Sequence, residues 1–178
     1  MKSLLLLIAT FLVYHSAFAA SFDRVNVMHD ERLDRLVEIH SSLSHVHGYC
    51  GNPGRLQITA RRLNEIWENT VKQAVYFSNT GVNAPVRNMK VSELDLRKRG
   101  AIDEFVTSAF TETIKDPTRV SEADRQALGE FMGLIGTLRG DYRFFVGGHQ
   151  NFLGPATFAV IVDLVNAEVL VLQASFCE

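Results

Sequence analysis

The chain has 178 residues, 47% of them hydrophobic and 21% charged, with a formal net charge of −2 and only two cysteines. That is enough apolar material for one packed core and too much for a disordered chain. The mild negative charge gives no electrostatic pull toward nucleic acid or an anionic membrane surface, so neither is an expected partner.

Residues 1–19 begin with one positive charge at Lys2, continue through Leu4-Leu-Leu-Leu-Ile-Ala-Thr-Phe-Leu-Val, and end Ala17-Phe18-Ala19. A basic start, a short apolar run and small residues flanking a cut site form the pattern of a secretory signal peptide. The run is short for a membrane span and has no basic cluster after it, so no membrane anchor is expected in the mature form. The expected organisation is a removed signal at 1–19 and a single globular domain at 20–178, in the periplasm or outside the cell. In such a compartment an even cysteine count points to a disulfide, here Cys50 with Cys177, which would staple the C-terminal end to the region after the first helix.

Asp30 is placed to cap a helix reaching about Val46, with Leu33, Leu36, Val37 and Leu43 as its apolar stripe. After the Gly51-Asn52-Pro53-Gly54 turn, the periodicity predicts a helix from Leu56 to Phe77, with Leu56, Ile66, Trp67, Val71 and Ala74 on its inner face. Residues 78–91 read as a loop with a short strand near Met89 to Val91. Ser92-Glu93-Leu94-Asp95 suggests a short capped helix ending at Gly100. Ala101 to Lys115 reads as a further helix. Ser121-Glu122-Ala123-Asp124 resembles a capping box that opens the last helix, 122–138. Gly129, Gly133 and Gly136 fall on one strip of that helix, which implies a close neighbour, since glycine costs a helix interior about 1 kcal/mol relative to alanine.

The chain from Asp141 onward changes character. Asp141 to Gly148, Ala156 to Asp163 and Glu168 to Gln173 are rich in β-branched and aromatic residues and are separated by turn residues. Phe158, Val160 and Val162 oppose Ala159 and Ile161, and Val169 and Val171 oppose Leu170 and Leu172. Strands apolar on both faces must be covered on both faces. The short Val165-Asn166-Ala167-Glu168 stretch suits an antiparallel hairpin. The fold class is therefore α+β: several amphipathic helices followed by a C-terminal antiparallel sheet of about three strands.

Two stretches could carry chemistry. His40, His45 and His47, with Cys50 beyond them, crowd one helix end and are candidate metal ligands. Their spacing matches neither His-Glu-x-x-His nor a paired-cysteine zinc site, and a structural role explains them equally well. The Gly147-Gly148-His149-Gln150-Asn151 stretch reads as a loop leaving a strand, open to ligand approach. His149 and Asn151, with Arg143 beside them, are candidate ligand-binding residues. No serine lies in a nucleophile elbow, no phosphate loop is present, and no cofactor is expected. Catalytic residues, if any, are not identified by motif. The expected function is an exported, non-enzymatic module binding a protein or small-molecule ligand, in the manner of an inhibitor, an immunity-type factor or an envelope accessory protein. The alternative is a small exported hydrolase or metal-dependent enzyme working through His40, His47 or His149.

Overall fold

Two strands with no polar face dominate the architecture. In the computed structural model, strand β5 (Gly154–Asp163) is buried without interruption from Phe158 to Asp163, and β6 (Glu168–Leu172) is buried throughout. The structure describes residues 30–46, 49–51, 53–57, 67–79, 87–110, 120–151 and 154–176. The expected signal at 1–19, His47 and Cys177 lie outside the described residues.

In chain order the elements are α1 (Glu31–Val46), β1 (Tyr49–Gly51), β2 (Gly54–Gln57), α2 (Trp67–Asn79), β3 (Arg87–Leu94), α3 (Ala101–Ala109), α4 (Glu122–Thr137), β4 (Tyr142–Asn151), then β5, β6 and β7 (Ala174–Phe176). Five strands form one antiparallel sheet in the order β2-β6-β5-β4-β3, while β1 and β7 pair separately. The class is α+β, as the sequence implies. The sheet has five strands rather than about three, because β2 and β3 are contributed from between the helices.

The two faces are covered unequally. Helices α1, α3 and α4 pack on one face, where Leu33, Leu36, Phe105, Phe131 and Ile135 meet Phe144, Ile161 and Leu170. Among the described residues helix α2 covers the other, with Val71, Ala74 and Val75 against Phe145, Phe158, Val160 and Val169. Each fully buried aliphatic or aromatic side chain contributes about 1.5–3 kcal/mol, so these clusters outweigh any single polar contact.

Several local expectations give way to tertiary pairing. Leu56 is in strand β2, opposite Val169, and not in a helix; within the described residues the following helix begins at Trp67. Ser92, Glu93 and Leu94 belong to β3, opposite Val146, Phe145 and Phe144, so the expected short helix at 92–100 is absent. Asp95 instead accepts a hydrogen bond from the Arg97 amide at 3.1 Å and opens a turn. The Gly147-Gly148-His149 stretch is not a loop. It lies inside β4, paired with both β3 and β5. The capping box at Ser121 and Asp124 is complete, with Ser121 Oγ accepting from the Asp124 amide at 3.1 Å.

The glycine strip on α4 does not mark close packing: a methyl at Gly129 or Gly133 would meet nothing within 4 Å, and one at Gly136 only Ile102 Cδ1 at 3.7 Å. The close approach is at Gly147 instead, where a Cβ would fall 2.5 Å from Phe158 Cζ and against the Lys90 carbonyl. Beside it, β3 has a bulge between Arg87 and Lys90, with Asn88 at φ 54°.

Opposite outcomes are therefore expected from the same substitution. Gly133→Ala should stabilise by about 0.5–1 kcal/mol through helix propensity, whereas Gly147→Ala should destabilise by about 1–3 kcal/mol through overpacking. Urea unfolding of both variants checks this, and equal effects of one sign would contradict it.

Candidate functional site

The two described histidines with resolved side chains are core residues on opposite sides of the sheet. His40, on α1, is fully buried under Phe110, its ring 4.8 Å from that ring. Its Nε2 lies 2.8 Å from the Ala109 carbonyl, so Nε2 carries the proton and donates. That leaves Nδ1 as a bare acceptor, buried without a partner among the described residues, as is Ser44 Oγ one turn along the helix. Burial pushes the His40 pKa down to about 4, only partly offset by the Ala109 carbonyl. A metal ligand needs an accessible lone pair, and this one is enclosed by hydrocarbon.

His149, on β4, shares the α2 side of the sheet with Phe145 and stacks on Phe158 at 6.0 Å. It is buried and neither ring nitrogen completes a well-aligned hydrogen bond, although the Gln173 side chain and the Gln150 backbone interact with it. Burial lowers its pKa. The backbone of Asn151 pairs with Gly154 at the end of β4. His45 lies in the last turn of α1. Among the described residues no group of three His, Cys, Asp or Glu side chains could hold a metal ion. Cys50 lies in β1 opposite Ser175 of β7.

A concave site exists elsewhere, at the end of the sheet where β3 runs into the turn at 95–100 and α4 turns into β4. It is a cleft of about 550 Å³, within the range usual for small-ligand sites, about 300–1,000 Å³. Leu94, Leu96, Leu138 and Phe144 form its apolar floor. Arg97, Lys98, Arg139 and Arg143 are its cations, and Glu93 and Asp95 its carboxylates. Arg143 makes a two-pronged contact to Glu93 at 2.8 and 2.6 Å, with its guanidinium 5.0 Å from the Trp67 ring. Thus the expected ligand residue Arg143 does line a cleft, but not one shared with His149 or Asn151. Arg97 pairs with Asp95 at 2.9 Å and holds that carboxyl below its ordinary value.

Tyr142 forms one wall, and its hydroxyl donates to Asp30, the residue that caps α1 by accepting from the Arg32 amide at 2.8 Å. Arg32 Nη2 lies 2.7 Å from the same carboxylate, and its hydrogen bonds, with help from Tyr142, pull the Asp30 pKa down to about 2. Burial and the Asp30 carboxylate raise the Tyr142 pKa, so its phenol stays protonated and serves as a donor, not a base. Sequence reasoning missed Lys98, Arg139 and Tyr142 as site residues. The available signal was the run Arg97-Lys98-Arg99-Gly100 and the matching Arg139-Gly140 immediately before a strand.

The acid dependence follows from these groups. The unfolded chain protonates His40 near its ordinary value of 6.5 and the folded chain only near 4, so stability is complete above about pH 6.5 and is lost as pH falls toward 4. His149 acts in the same direction. Asp30 adds a second loss, present in full above its ordinary value of 3.8 and lost as pH falls toward 2. The His40 ring resonances should therefore not titrate above about pH 5; a midpoint near 6.5 would contradict its burial. Asp30→Asn should cost about 1–2 kcal/mol at neutral pH and flatten the lower loss, as read from urea midpoints across the pH series.

Among the described residues no helix is long and apolar enough to cross a membrane. No protein-family model, no curated protein and no solved structure matches the chain.

Proposed function

We propose that this chain is an exported binding module that holds a ligand in the cleft at the β3–β4 end of the sheet without transforming it. The observation that carries the reading is the chemistry of the lining. Among the described residues its lining contains no serine, threonine, cysteine or histidine, and so no hydroxyl or thiol nucleophile paired with an imidazole base. Its carboxylates are engaged by Arg143 and Arg97, and the Arg97 hydrogen bonds favour the ionised form of Asp95, which disfavours a general-acid role for that residue. For the rival, a hydrolase or metal enzyme using His40, His47 or His149, a site joining His40 with His149 is disfavoured because the sheet separates the two rings, and His47 lies outside the described residues. Positioning by ion pairs over an apolar floor suits recognition instead.

Export rests on the sequence of residues 1–19, and closure by a Cys50–Cys177 bond is part of the same proposal. The described part of β7 ends one residue before Cys177, with Ser175 opposite Cys50. Intact mass of the secreted protein should begin at Ala20 and lack two hydrogens relative to the reduced chain. A mass retaining Met1, or two titratable thiols after unfolding, would overturn those two points separately.

For the binding reading, the mature protein is dialysed against a small-molecule extract of the compartment it enters, and the retained compounds are identified by mass. A compound enriched on the protein and recovered chemically unchanged is expected. Time-dependent conversion of that compound by the protein, absent with buffer alone, would replace the binding module with an enzyme.

A further inference from the structure

The cleft carries a charge imbalance that its internal ion pairs do not remove. Of its four cations, Arg143 and Arg97 are ion-paired with Glu93 and Asp95, while Lys98, which acts on Asp95 only through space, and Arg139 form no direct carboxylate ion pair among the described residues, so the lining holds four cations against two carboxylates. Arg139 is held at its base, its Nε donating to the Gly136 carbonyl at 3.1 Å. Asp141, next to Gly140 in the chain, is not part of the lining. These two remaining cations come from different segments of the lining, one from the turn after β3 and one from the residues that follow α4. They stand at the rim of a floor built from leucine and phenylalanine, with the protonated Tyr142 phenol in the wall.

This deepens the binding-module reading and rests on it: we propose that the cleft takes a small organic anion, a carboxylate or a phosphate monoester with an apolar body, its charged end between Lys98 and Arg139. Two positive groups over a partly desolvated floor hold one anion by charge-assisted hydrogen bonds, which are stronger than neutral ones. The apolar body covers Leu94 and Leu96, which are only partly buried in the unliganded chain. The paired Arg143 and Arg97 keep Glu93 and Asp95 from repelling the ligand. A neutral ligand of the same shape would gain the floor but not the cations, so the site discriminates by charge.

The test is calorimetric titration of the mature protein with octanoate, octyl phosphate and octanol, repeated on Lys98→Gln/Arg139→Gln. Both substituted side chains are exposed, so thermal unfolding of the double variant should be unchanged. The expected result is binding of one or both anions, with octanol much weaker and a loss of about tenfold for each cation removed. Preference between the two anions assigns the ligand to the carboxylates or to the phosphate esters. Octanol binding as tightly as the anions, or full anion affinity in the double variant, overturns the anion site while leaving a binding cleft. No binding by any probe overturns this proposal and leaves only a protein-partner form of the binding module.

Discussion

Burial of β5 and β6 on both faces is the constraint from which the rest of the structure follows. Phe158, Val160 and Val162 point to α2, and Ala159 and Ile161 to the three-helix side. Neither face is available for a ligand, because each is filled by side chains from helices. A site must therefore form where the layers end. The cleft lies at such an end, beside the edge strand β3, where the turn after β3 and the entry to β4 leave the floor only partly covered. The same constraint accounts for the histidines. His40 and His149 invite a catalytic reading, yet both are buried in the layers beside the sheet.

Polar groups fix how the layers sit on one another. Arg55 on β2 bridges the buried Glu168 of β6 and Asp34 of α1, its Nη2 lying 3.0 Å from the Glu168 carboxylate. A carboxylate buried to that degree is tolerated because the guanidinium is matched to it. Asp30 joins the cap of α1 to Tyr142 at the start of β4, so helix placement and cleft wall depend on one carboxylate. Asp163 closes the β5–β6 hairpin by accepting from the amides of Val165 and Asn166 at 2.9 and 3.0 Å. Cleft rigidity is thus supplied from behind, by contacts a ligand never touches.

What was legible in the sequence was local. The Ser121 capping box and the hairpin at 163–168 each lie within a few residues, and the double-faced strands announced that helices must cover both sides. What was not legible required distant partners. Leu56 fits a helical stripe until it meets Val169. Strand β3 shows no clean alternation because it is a partly exposed edge strand, and its identity comes from β4. The α4 glycines and Gly147 look alike in sequence; only the Phe158 ring and the Lys90 carbonyl across the sheet distinguish them. The cleft was hidden for the same reason. Nothing local in the sequence joins Arg97 and Lys98 to Arg139; only the fold brings them into one lining.

Placing function at the cleft, away from both histidines, is the central claim, and amide chemical-shift mapping tests it most directly. The mature protein, isotope-labelled and assigned, is titrated with octyl phosphate while backbone and histidine ring signals are followed together. The account predicts shifts concentrated at Glu93–Lys98 and Leu138–Phe144, with the His40 and His149 rings unmoved. Shifts centred on His149 and the end of α2, or on His40, would contradict it.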